Sequence, residues 1–477
     1  MSQPLWTLPA MAAAMSAERV GALPATIPGI SIDTRTLAAG EAFFAIKGDR
    51  DGHDFVAAAM QAGAGLAVVA RDKLGLMPND APLLVVPDVL EALNDLARAA
   101  RGRSQAKIIA VTGSVGKTGT KEALRLVLGR QGETHASAAS YNNQWGVPLS
   151  LARMPASAAF GVFEIGMNHA GEITPLTRLV RPQVAIITTI APVHLEFFGT
   201  LEAIADAKAE IFLGIEPDGV AVLNRDDAQF ERLAAAARAA GVARIVSFGA
   251  HELADARLIK VSLQAETSTV AARILGADVT YKLGAPGRHV VANSLAVLSA
   301  AAIVGADLAL AALALAELKP PVGRGERIAL DVPGGAALLI DESYNANPTS
   351  MRAALALLGQ VPTTGLGRRI AVLGDMLELG LEGPALHAEI ADAVVASAVD
   401  LVYCAGPLMK SLWDALPSER RGGYADSAAA LEADVLAAVG AGDAVMVKGS
   451  LGSRMGPIVK ALRRRYARPA QQALVQG

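Results

Sequence analysis

A glycine-bearing loop between an apolar run and a helical segment constrains this chain most. Residues 111–118 read V-T-G-S-V-G-K-T and directly follow the run K-I-I-A at 107–110. The run predicts a strand, and residues 121–128 predict the following helix. Such an order brings backbone N–H groups, a lysine and a hydroxyl together at a helix N-terminus, where phosphate oxygens bind. The arrangement therefore predicts a nucleotide triphosphate site within an α/β domain.

The loop offers each group that a nucleotide needs. Gly113 and Gly116 allow the backbone to close around phosphate oxygens. Lys117 supplies a charge near the outer phosphates, and Thr118 offers an oxygen to Mg²⁺. The predicted cofactor-binding set also includes the neighbouring residues Ser114, Val115 and Gly119. The common spacing, G-x-x-x-x-G-K-[ST], would place its first glycine at position 111, where this chain has valine. An ordinary turn before a helix is therefore the alternative.

Composition restricts the classes of protein to which the chain can belong. Its 477 residues suggest about three domains. The net charge of −3 does not suit a protein that coats nucleic acid or an anionic membrane. Cys404 is the only cysteine, which excludes internal disulfides and cysteine-rich zinc sites. We find no signal peptide and no apolar stretch of transmembrane length, so we expect a cytoplasmic protein without membrane insertion.

Three successive parts can be distinguished along the chain. Residues 1–103 combine short predicted strands with a long alanine-rich helix. In residues 104–321, helices separate apolar strands predicted at 107–111, 161–165, 183–190, 220–223 and 244–248. Continuous apolar strands separated by helices indicate a mainly parallel sheet covered on both faces.

The last part, residues 322–477, shows the same alternation of apolar strands and helices after a proline- and glycine-rich linker at 319–325. Strands predicted at 337–340, 370–373, 401–404 and 444–447 indicate a second, smaller α/β sheet. Ligands of such sheets bind outside the carboxyl ends of the strands. Polar residues follow nearly every strand in both parts, which indicates two facing clefts.

Two side chains are candidate metal ligands at the ends of predicted strands. Glu164 could join Thr118 in holding Mg²⁺, a hard cation that prefers oxygen ligands. A loop glutamate that points to solvent is the alternative. His194 follows the next strand of the same edge, where it is either a ligand or a structural histidine.

Other polar residues are less specific. Lys208, within a predicted helix, is from the residues alone a solvated lysine. Residues 224–227 could contact a ligand or form an Asx turn. Arg324 in the linker suits a phosphate clamp, since guanidinium pairs well with phosphate oxygens. The stretch 341–348 carries more hydrogen-bonding side chains than a plain turn needs, which favours a site.

These residues together resemble the Mur ligase family, the ATP-dependent enzymes that build the peptidoglycan precursor. The loop T-G-S-V-G-K-T is similar to the shortened phosphate loop of that family, which accounts for Val111. The other stretches that carry the resemblance are 31–35, 43–48, 141–149, 164–173, 341–347, 374–380 and 447–450. They extend over nearly the whole chain.

The resemblance implies three domains: an N-terminal domain for a UDP-sugar peptide, a central phosphate-loop ATPase domain and a C-terminal Rossmann-like domain. It also implies that the substrates are ATP, UDP-N-acetylmuramoyl-tripeptide and D-alanyl-D-alanine. ATP would phosphorylate the terminal carboxylate of the tripeptide. The amine of D-alanyl-D-alanine would then attack the acyl phosphate, and phosphate would leave. We expect a monomer that binds no nucleic acid.

The resemblance further implies roles for individual residues. Lys117 would stabilise the transferring phosphoryl group, while Thr118 and Glu164 would hold Mg²⁺. His194 would bind a second Mg²⁺. Lys208 would be carbamylated, which converts a cation into an oxygen ligand for that metal.

The remaining implied residues surround the two substrates. Asn293 would approach the adenine of ATP. Arg324 and Asp341 would reach phosphate and ribose from the C-terminal domain, and Arg324 would join Lys117 and Lys208 in the catalytic set. The predicted UDP-sugar residues are Ser31, Asp33 and Lys47.

Two alternative functions remain open from the sequence. One is another amide ligase of the same superfamily, such as a folylpolyglutamate synthase or a different Mur ligase. The other is an ATP-binding regulatory or motor-like module. A motor hydrolyses ATP without an amine acceptor, whereas a ligase needs both carbon substrates.

Overall fold

The N-terminal part of the chain builds a small sheet from short apolar runs. The computed structural model describes residues 4–138 and 140–466. The strands of this part are β1 (Trp6–Thr7), β2 (Glu18–Val20), β3 (Thr26–Ile27), β4 (Ile30–Ser31), β5 (Ala42–Phe44), β6 (Leu66–Ala70) and β7 (Leu83–Val86). Five of them form one sheet in the order β2-β7-β6-β5-β4, in which β2 is antiparallel to β7 and the other pairs are parallel.

Three α-helices accompany these strands within the described residues: α1 (Leu8–Ala14), α2 (Val56–Gln61) and α3 (Val89–Arg103). Helix α3 begins where the Asp88 carboxylate accepts a hydrogen bond from the backbone N–H of Glu91 at 2.8 Å. Its buried residues include Leu93, Leu96 and Ala100, which recur at the three- to four-residue spacing of one helix face. This face closes the N-terminal core.

The central part contains a nine-stranded sheet within the described residues. Its strands are β8 (Lys107–Thr112), β9 (Thr134–Ala136), β10 (Phe160–Glu164), β11 (Val184–Ile187), β12 (Val220–Asn224), β13 (Arg244–Gly249), β14 (Ala256–Leu263), β15 (Ser268–Ile274) and β16 (Ala277–Leu283). The order is β16-β15-β14-β13-β12-β11-β8-β10-β9. From β9 to β14 all pairs are parallel, which confirms the predicted mainly parallel sheet.

Helices cover both faces of this sheet, as separate buried clusters on its two sides show. They are α4 (Lys117–Gly129), α5 (Gly146–Ala152), α6 (Ile173–Val180), α7 (Leu195–Phe198), α8 (Leu201–Ala209), α9 (Phe230–Ala239), α10 (Arg288–Ile303) and α11 (Leu308–Ala314). The antiparallel extension formed by β14, β15 and β16 was not predicted. Between β15 and β16, Leu275 and Gly276 both have positive φ angles, of 48° and 94°, as a tight hairpin requires.

The C-terminal part contains the second sheet, with six strands in the described region. They are β17 (Glu326–Val332), β18 (Gly335–Glu342), β19 (Arg369–Gly374), β20 (Leu401–Ala405), β21 (Arg421–Ala425) and β22 (Ala444–Lys448). The order is β17-β18-β22-β19-β20-β21, and β17 alone is antiparallel to its neighbour. The helices are α12 (Pro348–Gly359), α13 (Gly383–Ala388), α14 (Ile390–Ala396), α15 (Met409–Ala415), α16 (Ala428–Ala438) and α17 (Gly456–Arg465).

The three-domain α/β architecture is thus confirmed, while the domain boundaries 1–103, 104–321 and 322–477 stay predictions. No helix in the described part of the chain is long and apolar enough to cross a membrane. The carboxyl ends of β8, β10 and β11 carry the phosphate loop, Glu164 and the segment that leads to His194. The fold therefore gathers the predicted central-domain residues at one sheet edge.

Candidate active site

The phosphate loop joins β8 to α4 through two glycines whose backbone angles favour glycine. Gly113 has a φ angle of 140° and Gly116 one of 93°. A Cβ on Gly113 would collide with the Thr188 hydroxyl, and a Cβ on Gly116 with the side-chain amide of Asn293. Asn293 therefore lies directly against the loop, while its approach to the adenine stays a prediction.

The segment that follows β11 braces this loop. The Thr188 hydroxyl donates a hydrogen bond to the Val115 carbonyl at 2.6 Å, and the Ser114 N–H donates to the Thr189 carbonyl at 2.8 Å. The Thr189 hydroxyl in turn donates to the Asp227 carboxylate at 2.8 Å. Asp227 therefore supports the loop through Thr189, and a ligand contact by residues 224–227 stays a prediction.

Lys117 begins α4 and folds back over the loop. Its Nζ donates to the Gly113 carbonyl at 2.6 Å. Burial lowers the pKa of Lys117, the negative charge of Glu164 opposes that shift, and the positive charge of Arg324 adds to it. Glu164 pairs with Val111 on the neighbouring strand, and Arg324 lines the same cavity as Gly116, so both lie at the edge that carries the loop. The structure thus brings together three predicted site residues from three separate parts of the sequence.

Two buried oxygen atoms next to the loop suit a hard cation. Thr118 is 5% exposed and Glu164 is 1% exposed. Within the described residues, neither Thr118 Oγ1 nor Glu164 Oε2 has a hydrogen-bond partner. Buried polar atoms are normally paired, and Mg²⁺ prefers such oxygens. The residues therefore fit the metal that the family implies.

The rest of the Mg²⁺ coordination would come from phosphate and water, as is usual for this ion. In the described residues, no group of three or more His, Cys, Asp or Glu side chains is placed to hold a metal. The other oxygen of Glu164, Oε1, accepts a hydrogen bond from Asn142 Nδ2 at 2.8 Å, which fixes the carboxylate. Metal binding by Thr118 and Glu164 stays a prediction.

His194 contacts the C-terminal domain. Its Nδ1 lies 2.5 Å from Glu378 Oε2, and the N–H of Glu196 donates to the Glu378 carbonyl at 3.2 Å. Both His194 and Glu378 have positive φ angles, 55° and 62°. The neighbouring His194 side chain lowers the pKa of the Glu378 carboxyl. Binding of a second Mg²⁺ by His194 stays a prediction.

Lys208 is not a solvated lysine. It lies in α8 and is 1% exposed, and its side chain has no hydrogen bond or ion pair among the described residues. Burial and, secondarily, the charge of Lys117 hold its pKa well below the ordinary value. Lys208 therefore favours the neutral amine and lies close enough to Lys117 to sense its charge.

A cleft of about 320 Å³ separates the phosphate loop from the C-terminal domain. Gly116 and Asn293 line one wall, while Arg324 and Lys448 line the other. The Arg324 guanidinium lies over the ring of Tyr344, 4.4 Å from its centroid. The cleft therefore presents two cations from the C-terminal side opposite the phosphate loop.

Lys448 was not predicted as a site residue, although it is the last residue of β22 and begins the polar stretch 448–450. It is 2% exposed, and its Nζ donates to the Asn345 carbonyl at 2.9 Å and to Glu342 at 3.2 Å. The predicted Asp341 accepts hydrogen bonds from the N–H and hydroxyl of Ser343 instead. Its contact with ribose stays a prediction.

The predicted UDP-sugar residues lie in the N-terminal domain. The Ser31 hydroxyl is buried and donates to the Asp33 carbonyl at 3.0 Å. Arg35 pairs with the Asp33 carboxylate at 2.6 Å and lowers its pKa. Lys47 forms an antiparallel bridge with Asp51. Their contact with a substrate stays a prediction.

Family models match three successive segments of the chain. They are described as Mur ligase family, catalytic domain (residues 26–101), Mur ligase middle domain (111–301), and Mur ligase, glutamate ligase domain (323–451). The segments correspond in order to the five-, nine- and six-stranded sheets of the described residues.

Curated relatives and solved structures agree. A UDP-N-acetylmuramoyl-tripeptide–D-alanyl-D-alanine ligase of Escherichia coli is 36% identical, with 92% of this chain and 94% of the relative covered. The ligase of the same name from Rickettsia prowazekii is 32% identical, with 90% and 94% covered. Crystal structure I of MurF from Acinetobacter baumannii is 29% identical with a TM-score of 0.81, covering 96% of this chain and 99% of that one. The Thermotoga maritima MurF in complex with ADP is 26% identical with a TM-score of 0.75, covering 92% and 98%.

Proposed function

The chain belongs to the Mur ligase family, and we propose that it joins D-alanyl-D-alanine to UDP-N-acetylmuramoyl-tripeptide with conversion of ATP to ADP and phosphate. The observation that carries this proposal is the cleft. Its phosphate loop faces Arg324 and Lys448 of another domain. Relatives that bear the name of this activity align with about nine-tenths of the chain.

The cleft supplies the charges that the reaction requires. A carboxylate and ATP are both anionic, so cations at the point of transfer must reduce their repulsion. Lys117 begins the helix that follows the phosphate loop, and Arg324 lines the cleft that this loop faces. When bound, Mg²⁺ at Thr118 and Glu164 would neutralise phosphate charge.

The proposed reaction forms one bond at a time. A carboxylate oxygen of the tripeptide attacks the γ-phosphorus of ATP, and ADP leaves. The amine of D-alanyl-D-alanine then attacks the acyl carbon of the resulting acyl phosphate. The tetrahedral intermediate expels phosphate and loses a proton, which leaves the new amide. Lys117 would stabilise the charge that develops on the transferred phosphoryl group.

Lys208 fits the carbamylation that the resemblance implied. A neutral amine attacks CO₂ and releases one proton, which gives a carbamate with two oxygen atoms. Burial lowers the pKa of Lys208 and so favours the reactive form. The product would place a negative charge near Lys117, where the unmodified lysine places none.

Phosphate release from ATP, measured with each substrate omitted in turn, tests this proposal. We expect release only when ATP, the UDP-linked tripeptide and D-alanyl-D-alanine are all present. Single amino acids in place of D-alanyl-D-alanine should give no product. Release that is independent of D-alanyl-D-alanine would contradict the proposal and support a motor-like ATPase.

A further inference from the structure

Trp145 of the central domain packs directly on Gly48 of the N-terminal domain. A Cβ built on Gly48 would lie 2.8 Å from Trp145 Cη2 and 3.4 Å from Cζ2. Gly48 has no positive φ angle, so its backbone conformation is open to other residues. Position 48 therefore requires glycine because a larger residue would collide with the indole, and not because of its backbone angles.

Gly48 belongs to a hairpin, residues 47–51, that is fixed within its own domain. The Gly48 N–H donates to the Arg50 carbonyl at 3.0 Å, and the backbones of Lys47 and Asp51 form an antiparallel β-bridge. The Asp51 carboxylate contacts Lys73 at 3.0 Å and His53 at 2.6 Å. These contacts make the Lys47 hairpin a rigid unit against which the indole rests.

The loop that carries Trp145 also reaches the predicted metal site. The Asn143 side-chain oxygen accepts a hydrogen bond from the Gly146 N–H at 2.9 Å, which fixes the start of α5 beside Trp145. Asn142 donates to Glu164 at 2.8 Å. One short loop thus contacts both the Lys47 hairpin and a residue beside the phosphate loop.

We infer that Trp145 is a positioning residue for the nucleotide-sugar substrate: its indole sets the Lys47 hairpin relative to the central domain. The inference rests on the proposed function and on the predicted role of Lys47 at the UDP-sugar. Because the γ-phosphate and the UDP-linked carboxylate are held by different domains, their alignment depends on the contact between those domains. The indole supplies a large, rigid surface for that contact.

Steady-state kinetics with Trp145→Ala tests the inference. We expect the KM for UDP-N-acetylmuramoyl-tripeptide to rise about tenfold, the cost of one aromatic contact. The KM for ATP should stay unchanged, and Trp145→Phe should restore most of the lost affinity. Equal rises in both KM values, or no rise in either, would overturn the inference.

A second variant distinguishes contact between the two residues from a general loss of structure. Gly48→Ala adds a methyl group that displaces the indole, so it should also raise the KM for the UDP-sugar substrate. In a Trp145→Ala background the same methyl group meets no indole, and the second substitution should have no further effect. If the double variant instead shows a rise in KM equal to the product of the two single rises, the two residues act independently and the inference is overturned.

Fluorescence titration separates this inference from the proposed function. The chain has three tryptophans, Trp6, Trp145 and Trp413. Addition of UDP-N-acetylmuramoyl-tripeptide to the full-length protein should change the emission, and Trp145→Phe should remove most of that change. Trp413→Phe, in the C-terminal domain, is the matched control and should retain it. Binding with an unchanged response in Trp145→Phe would overturn the inference alone, whereas no binding to wild type would overturn the proposed function as well.

Discussion

His194 of the central domain and Glu378 of the C-terminal domain meet across the domain boundary, with Nδ1 2.5 Å from Oε2. Next to this pair, the Glu196 N–H donates to the Glu378 carbonyl. The predicted second-metal ligand is therefore also a contact between two domains. A metal at His194 and the contact with Glu378 involve the same imidazole, so the position of the C-terminal domain and the orientation of His194 are linked.

Glu378→Ala should weaken docking of the C-terminal domain. The side chains are partly exposed, so we expect a loss of at most about 1 kcal/mol, the upper range for contacts between exposed polar side chains. Hydrogen exchange at residues 195–198 and 376–380 measures the effect. Glu382→Ala, an exposed glutamate in the same region, is the control. Equal exchange in wild type and Glu378→Ala would show that the pair contributes nothing to docking.

Lys117→Ala should abolish phosphate release without unfolding the protein. The variant loses the cation that stabilises the transferred phosphoryl group, and we expect a fall in kcat of at least about 100-fold. Phosphate release and circular dichroism give the two readouts. Wild-type turnover in this variant would refute the assigned role.

Lys208 should carry a carbamate in the native protein. Burial holds its pKa well below the ordinary lysine value, which favours the neutral amine that reacts with CO₂. Incubation with ¹³C-labelled bicarbonate should give a carbamate carbon signal in the NMR spectrum. Lys208→Arg, whose guanidinium stays charged and cannot form the carbamate, should lose both the signal and ligase activity. The same signal in Lys208→Arg would exclude Lys208 as the modified residue.

Gly116→Ala should weaken ATP binding. The loop holds position 116 at a φ angle of 93°, which is unfavourable for alanine, and the new Cβ would collide with Asn293, for a cost of about 1–3 kcal/mol. Gly129→Ala at the end of the same helix is the control, since a Cβ there meets no atom within 4 Å. Isothermal titration with ATP measures both variants. Equal affinities for the two would contradict the observed loop geometry.

Asp51→Asn should destabilise the N-terminal domain above the pH range in which aspartate titrates. Hydrogen bonds with His53 and Lys73 hold the pKa of Asp51 below its ordinary value of 3.8. Stability from this carboxylate is therefore fully present above about pH 4 and is lost as the pH falls towards the lowered pKa. We expect a loss of about 1 kcal/mol at pH 7, with a smaller effect in acid. Denaturant unfolding at several pH values measures it, and equal losses at all pH values would contradict the linkage.

The parallel strands of both large sheets were predictable because each is a continuous apolar run between helices. Strands β14, β15 and β16 were not predicted because they are half exposed. Small or charged residues alternate with their buried residues, so they contain no continuous apolar run. The turn between β15 and β16 also has Leu275 at the position where asparagine or aspartate usually precedes the glycine. Periodicity of continuous apolar runs does not detect strands of this kind.

The central part of the site was predictable because parallel strands deliver their carboxyl ends to one edge. Glu164 and Lys117 could be brought together on that argument alone. The contact of His194 with Glu378 depends on how two domains dock, which the order of strands does not specify. Lys448 was missed for a similar reason, since its position in the cleft depends on Glu342 and Asn345 rather than on its own neighbours in sequence.

The support beneath the phosphate loop has a consequence for how the protein is made. The phosphate loop, residues 113–116, packs against side chains that occur much later in the sequence, among them Asp227 and Asn293. During synthesis, the chain that ends soon after α4 has the complete motif but none of these supports. Nucleotide affinity should therefore arise only after the ribosome has released α10, which makes ATP binding a reporter of a finished central domain.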